Sequence, residues 1–487
     1  MRHIDKIYID GAFVNPHGAE VFDLFNPTTG QVIGTVTLAD EEDARLAIAA
    51  AKRAFPAFSS TSKAERIEML QALHNAVAAD ADQLMDLIVE EYGAPIARST
   101  WMATGAADAF LSAATTLKDF PLTRQIGTAE VVMEPVGVVG LITPWNSNCG
   151  FICSKLSMAI AAGCTAVIKP SEMSARQTQA LTEALHRAGL PAGVFNIVNG
   201  RGDVVGAELT THPDVSKISF TGSTAVGKSI VRAGVDTMKR VTLELGGKSP
   251  TVVLDDADLQ EAIPHILAAG FGNNGQACIN GTRVLLPKSR LAEFSAAITE
   301  AVAKMQVGDP CDSKTTLGPL VSRRQFERVE RYIKLGIEEG ADVLLGGEGS
   351  PEGLEDGFFV KPTVFGGVTN DMTIAREEIF GPVIALLTYE TEEDAIRIAN
   401  DTTYGLHAYV LSANFKRARA VAARLQAGRV SINGGQHEPL APFGGFKQSG
   451  IGREFGVYGL EAYLEPKAVL GSFTEMTVPS SLSCKCD

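Results

Sequence analysis

Apolar residues recur at three- and four-residue spacing from about residue 40, in DEEDARLAIAAAKRAF and in KAERIEMLQALHNAVAADADQLMDLIVEEYG. That period predicts helix in both stretches. Asp40 and Ser62 stand where N-caps are expected, and Gly93 where a helix stops. The rhythm changes at EVVMEPVGVVGLITPWN, which is β-rich and punctuated by Pro135, Gly137 and Gly140. Short apolar runs then follow at CTAVIK, GVFNIV, VSKISF and RVTLEL. The first three lead into SARQTQALTEALHRAG, GDVVGAELTTH and STAVGKSIVRAG, which carry helical patterns with polar starts. Such alternation predicts βαβ units and a parallel sheet, with ligands beyond the carboxyl ends of its strands.

After Gly246 the alternation restarts. TVVLD leads into LQEAIPHILAAGF, and RVLLP into SRLAEFSAAITEAVAKM. ADVLLGG, FFVKPTVFGGV and PVIALLTYE read as strands, TEEDAIRIAND and FKRARAVAARLQAG as helices, and AVLGSFTEMTVPSS as a terminal strand. The fold class is therefore α/β in two halves. There is no short-period repeat and no low-complexity segment.

Composition narrows the function classes. The 487 residues carry a net charge of -14. Nucleic acid is not an expected partner, because phosphate backbones need clustered Lys and Arg, and an anionic membrane surface is disfavoured likewise. No run approaches the length of a membrane span, and MRHIDKIYIDGAFVNP lacks the apolar core of a signal peptide. Seven cysteines, an odd and sparse set, do not make a disulfide scaffold, so the cytoplasm is the expected compartment. Cys149 and Cys153 have no second ligand pair at zinc spacing and are expected to pack. Cys484 and Cys486 sit in a polar tail. No metal site is expected.

Four polar loops follow apolar runs. ITPWNSN offers Trp145 and Asn146 in a Pro-fixed turn. IKPSE offers Lys169 and Glu172 to a ribose or phosphate, although a solvated Lys and a capping Ser171 would explain it equally. FTGSTAVGKS satisfies the G-x-x-x-x-G-K-[ST] phosphate-loop pattern from Gly222 to Ser229, between a strand and a helix, with Asp255 and Asp256 as a crude magnesium partner. Either an ATP-binding enzyme or another phosphate-bearing nucleotide fits those backbone N–H groups. Finally, Glu244 ends an apolar strand, and Cys278 follows 34 residues later in a Gly-Gln-Ala-Cys turn. A thiol and a base converging on one cleft form an activated nucleophile.

The ordered series PWN, KPSE, FTGST, LELGGKSP, GQAC, EEIFGPV, YGL and PFGGFKQSGIGRE resembles the aldehyde dehydrogenase superfamily from roughly residue 5 to 470. The resemblance implies oxidation of a small-molecule aldehyde to the acid, with NAD as acceptor. Cys278 would be the nucleophile and Glu244 the base. The Asn146 side chain and the Cys278 N–H would hold the oxyanion. Ile142, Thr143, Trp145, Lys169, Ser171, Glu172, Gly202, Gly222, Ser223, Gly227, Leu245, Glu378 and Phe380 would line the cofactor site. Glu172 on the adenosine ribose would favour NAD over NADP. Glu244 favours hydrolysis of the thioester over its transfer to coenzyme A, the alternative within the family. A phosphate-loop ATP-binding enzyme is the remote alternative, and intact Cys278, Glu244 and Asn146 speak against a non-catalytic descendant.

The resemblance further implies two Rossmann-like domains and a small β arm. Residues 1–116 and 136–245 would bind NAD, 246–460 would be catalytic, and 117–135 with 461–487 would complete a neighbour's sheet in a homodimer or homotetramer. The chain departs from the family around the aldehyde. Ser147 and Ser154 stand where relatives are often bulky, and Gln436, His437 and Glu438 face the far wall, so the tunnel is expected to be wide or polar. Phe151, Ile279 and Phe443 would supply apolar contacts. With only Trp101 and Trp145, an aromatic box for a cationic aldehyde is disfavoured.

Overall fold

A computed structural model describes residues 2–471. The Cys484 and Cys486 tail, and most of the expected terminal strand, lie outside the described residues. Two large sheets dominate. The first has eight strands, and its central five are parallel: Arg240–Glu244, Val215–Thr221, Val138–Ile142, Thr165–Lys169 and Phe195–Ile197, in that spatial order. Gly450–Ile451 closes one edge antiparallel, and the hairpin Ile7–Ile9 with Ala12–Val14 closes the other. Apolar clusters cover both faces. Ile152, Leu156, Leu70 and Phe110 lie on one side, and Ala47, Ile48, Val138 and Leu209 on the other. Strands buried on both faces read as continuous apolar runs, which is why they were visible in the sequence.

The second sheet has seven strands. Six are parallel, in the order Thr363–Gly366, Val383–Tyr389, Arg283–Pro287, Pro250–Val253, His407–Leu411 and Arg429–Ile432. Asp342–Leu345 adds an antiparallel edge. The two-half α/β expectation therefore holds. Among the described residues no helix is long and apolar enough to cross a membrane.

Asp40 and Ser62 cap their helices through capping boxes, and Gly93 ends its helix in the left-handed conformation. Elsewhere the boundaries differ from expectation. The second helical stretch breaks at Ala79–Asp80 into Lys63–Ala78 and Ala81–Tyr92. GDVVGAELTTH opens as a π-turn, Gly202–Gly206, before the short helix Ala207–Thr211. A 24-residue helix, Ile96–Asp119, was not anticipated, because its buried positions are mostly Ala, Ser and Thr and give little hydrophobic contrast. It also takes the first residues assigned to the arm. The arm proper is the hairpin Thr123–Ile126 and Ala129–Pro135, joined by Leu464–Leu470 into a three-stranded antiparallel sheet within this one chain. In FFVKPTVFGGV only Thr363–Gly366 is strand, since Pro362 has no N–H to give a ladder.

Candidate active site

The two sheets approach each other in opposite senses. From the first, carboxyl ends lead into the loops at Thr143–Ser147, Pro170–Glu172, Gly222–Ser223 and Leu245–Gly246. From the second, amino ends are presented. Cys278 precedes Arg283–Pro287, Glu378 and Phe380 precede Val383–Tyr389, and Tyr404–Leu406 precedes His407–Leu411. The chain passes from the first sheet to the second at Leu245–Ser249, so Glu244 and the Cys278 loop meet at that crossing. A Cβ on Gly247 would overlap the Cys278 carbonyl, and one on Gly246 would lie 2.7 Å from Glu378 Oε2. Gly247 requires glycine for this approach, because the atom it would meet is backbone.

The turn that carries Cys278 is left-handed three times in succession, at Asn273 (φ 58°), Asn274 (φ 57°) and Gly275 (φ 72°). Asn tolerates that region better than other side chains. Asn274 Nδ2 donates to the carbonyls of Gly93 (2.9 Å) and Pro319 (3.1 Å), and its Oδ1 accepts from Gly318 N. Asn273 Nδ2 donates to the Asn146 carbonyl at 3.0 Å, while Asn146 Nδ2 donates to the Gln276 carbonyl at 3.0 Å. Asn146 is thereby locked beside the Cys278 turn. Tyr409 holds the far side, its hydroxyl donating to the Ile279 carbonyl at 3.1 Å.

Burial first, and then the charges of Glu378 and Glu244, push the Cys278 thiol well above its ordinary range. Its own N–H and that of Ile279 point at the sulfur and act in the opposite direction. Glu244 is 1% exposed, and neither carboxyl oxygen has a hydrogen-bond partner among the described residues. Burial, then the charge of Glu454, raise its pKa well above the carboxylate range, with Lys155 and Arg453 opposing. Glu454 is held by Lys155 in a buried ion pair and by the Ser219 hydroxyl at 3.2 Å. A buried carboxyl with no partner is costly to keep and marks a functional group.

Beyond the thiol, Glu378 Oε1 accepts from Gly247 N at 2.9 Å. Phe380 has φ 66°, and Gln325 Nε2 donates to its carbonyl at 2.8 Å. Trp145 stands edge-on to Phe380, ring centroids 5.5 Å apart, and 5.9 Å from Tyr92. Ile142 and Thr143 are buried at a strand end, and Thr143 Oγ1 is unpartnered. Lys169 pairs with Glu172 at 3.2 Å, and Ser171 caps the turn that follows. Ser223 is the N-cap of Thr224–Ala233. Gly202 opens the π-turn. Gly222 N bonds the Glu244 carbonyl at 3.0 Å, tying two expected loops together. A Cβ on Gly227 would lie 2.6 Å from Leu245 Cδ2, so this glycine lets the helix pack on Leu245.

Among the residues expected to face an aldehyde, Ser154 Oγ turns back to the Phe151 carbonyl at 3.3 Å. Ile279 and Phe443 are partly buried, whereas Gln436 is exposed. Cys149 and Cys153 are core residues whose thiols are pushed up by burial. Sequence reasoning missed Tyr409, Lys155, Glu454, Ser219 and Arg429. For Tyr409, Lys155 and Ser219 the only signal was polarity inside otherwise apolar elements; Glu454 closes the PFGGFKQSGIGRE series, and Arg429 starts a strand.

The phosphate-loop pattern does not assemble. Lys228 lies on the exposed side of its helix and donates to Gln448 Oε1 at 2.8 Å. Asp255 and Asp256 pair with Arg417 beyond the carboxyl end of a strand in the other sheet. No group of three or more His, Cys, Asp or Glu among the described residues could hold a metal ion.

Comparison with known proteins agrees with this geometry. The model of the aldehyde dehydrogenase family matches residues 13–469. The chain is 46% identical over 473 residues to a 3-succinoylsemialdehyde-pyridine dehydrogenase of a Pseudomonas species, covering 97% of this chain and 99% of that protein. It is similar to a solved cysteine-to-alanine mutant of aldehyde dehydrogenase C from Pseudomonas syringae in complex with NAD+ and octanal, at 42% identity and TM-score 0.95 over 98% of both chains. It is similar also to a Mycobacterium tuberculosis aldehyde dehydrogenase complexed with NAD+, at 41% identity and TM-score 0.93, covering 96% of this chain and 98% of that one. The chain belongs to the aldehyde dehydrogenase family.

Proposed function

We propose that the protein oxidises an aldehyde to its carboxylic acid, with NAD as acceptor and Cys278 as nucleophile. The observation that carries this is a partly buried thiol and a buried, unpartnered carboxyl meeting where two sheets face each other. The unpartnered Thr143 Oγ1, the glycines of the Gly246–Gly247 crossing and the Trp145–Phe380 wall fit a dinucleotide. Ile142, Thr143, Trp145, Lys169, Ser171, Glu172, Gly202, Gly222, Ser223, Gly227, Leu245, Glu378 and Phe380 would hold it. Bound NAD supplies the acceptor for hydride. Glu172, already fixed by Lys169, offers its carboxylate to a ribose diol and would repel a 2′-phosphate, which favours NAD over NADP.

Cys278 Sγ, its proton given up to solvent, bonds to the carbonyl carbon. The second N–H of Asn146 and the Cys278 N–H receive the oxyanion; one well-placed donor of this kind contributes about 3–4 kcal/mol to lowering a barrier. Once the thioester has formed, Glu244 takes a proton from water. The hydroxyl adds to the acyl carbon, the C–S bond breaks, and the acid leaves with Cys278 free. Phe151, Ser154, Ile279, Gln436 and Phe443 would face the aldehyde. Residues 1–116 and 136–245 form the NAD-binding unit and 246–460 the catalytic one. The arm, with 461–471 of the described residues, joins a homodimer or homotetramer in the cytoplasm. Ile126 and Leu470, 61% and 80% exposed on the arm sheet, support that contact.

Cys278→Ala is the deciding experiment. It should abolish NADH formation from an aldehyde panel while NAD still binds by calorimetry. Substantial residual turnover would remove Cys278 from the mechanism. Free acid should form without coenzyme A, and a strict requirement for coenzyme A would assign the acylating reaction instead.

A further inference from the structure

Arg429 begins the last parallel strand of the second sheet, at the same amino-end side as the Cys278 loop. Its strand register places Arg429 beside His407, and Ser431 beside Tyr409. A polar line runs along this face. Tyr409 bonds the Ile279 carbonyl, its ring lies 4.5 Å from that of His407, and His407 Nε2 lies 3.0 Å from Ser431 Oγ. Past Ser431 stands Arg429. Its guanidinium lies over the Phe443 ring at 5.4 Å and bonds the carbonyls of Glu438 (3.2 Å) and Ala441 (3.3 Å). Its Nη1 lies 2.8 Å from His437 Nδ1.

A guanidinium can only donate, so His437 Nδ1 accepts. The ring is therefore neutral, and its proton sits on Nε2. Desolvation of the ring, and then the Arg429 charge, also lower its pKa. His437 stands edge-on to Phe455 at 5.7 Å, and Phe455 lies 5.8 Å from Phe443. Phe443 directly precedes Gly444, where a Cβ would lie 2.7 Å from Glu244 Oε1. One oriented N–H donor thus stands beside two phenyl rings at the rim of the cleft that holds the base. Glu438, on the same loop, offsets the Arg429 charge, so the rim suits a neutral acceptor better than an anion.

We propose that His437 Nε2–H, oriented by Arg429, selects aldehydes whose tail carries a neutral hydrogen-bond acceptor such as a keto oxygen. The proposal rests on the aldehyde-oxidising function and specifies its substrate class. A neutral hydrogen bond contributes about 0.5–1.5 kcal/mol, so discrimination of up to roughly tenfold is expected.

The test compares kcat/KM for hexanal, 4-oxohexanal, 5-oxohexanal and 6-oxohexanoate. The wild type should prefer at least one keto aldehyde over hexanal by about tenfold. His437→Phe should reduce that ratio to about one, His437→Gln, which keeps a donor, should restore part of it, and Arg429→Met should lower it. No keto preference in the wild type, or one that survives His437→Phe, overturns the proposal. So does a preference for 6-oxohexanoate alone, which would make the rim an anion site. Absence of NADH from hexanal and every other aldehyde would be a different result, the failure of the aldehyde-oxidising function itself.

Discussion

Glu244→Gln separates the two half-reactions. The substitution keeps the shape of a side chain that is 1% exposed and removes its capacity to take a proton. General-base catalysis contributes about 10²–10⁴-fold, or roughly 3–5 kcal/mol at 1.36 kcal/mol per decade. The upper half of that range is expected, because no neighbouring carboxylate is free to substitute. Glu454 is engaged by Lys155 and Ser219, and Glu378 by Gly247 N. Thiol chemistry suffers less, since removing the negative charge of Glu244 lowers the Cys278 pKa. Rapid mixing should therefore show a burst of NADH near one equivalent per active site, followed by turnover slower by about 10³-fold. The pH profile adds a signed test. Burial raises the Glu244 pKa, so the base form appears only above the ordinary carboxylate range. Wild-type deacylation should climb with pH through that raised value, and the variant should lack this limb. The native state also holds this proton more tightly than the unfolded chain does. Wild-type stability should therefore fall relative to the variant as pH rises above the unfolded carboxylate value. A variant turning over within about threefold of wild type, with no burst, would refute the base assignment.

Gly275→Ala should destabilise the protein by about 2–5 kcal/mol and depress kcat, because the residue has φ 72° and a Cβ would overlap the Gly381 carbonyl and Pro382 nitrogen. Unchanged chemical denaturation and unchanged turnover would show that the turn relaxes freely. Lys228→Ala removes an exposed side chain bonded, among the described residues, only to Gln448, so turnover and NAD affinity should stay at wild-type levels, with stability within about 0.5 kcal/mol. Tight ATP–magnesium binding that this variant abolishes would restore the phosphate-loop function.

Much of this architecture is visible in the sequence wherever a local rule operates. Asp40 and Ser62 announce helix starts because a short polar side chain there accepts orphan N–H groups. The parallel strands announce themselves as apolar runs because both faces are covered. Glu244 and Cys278 stand out because a polar residue ends or follows such a run. What escapes is contrast-poor or non-local. Ile96–Asp119 is built from small side chains. Lys155 and Glu454 meet across 299 residues, and nothing near either one signals the other. Arg429 looks like an ordinary charged residue at a strand start until His437 and Phe443 close on it. The opposed direction of the two sheets, which creates the cleft, is a property of how the chain passes between them at Leu245–Ser249 and of no local pattern.

The clamp of Asn274 on Gly93 and Pro319 grips the turn that carries Cys278. Asn273 and Asn146 brace each other on that same turn. Placement of the sulfur is thus uncoupled from the walls that meet the substrate's tail. Ser147, Ser154 and the 433–440 loop can drift in size and polarity while the attack geometry stays put. Such a division lets one chemistry be re-addressed to new metabolites by mutation at the rim, and directed evolution of this enzyme should accumulate its changes there and spare the three asparagines.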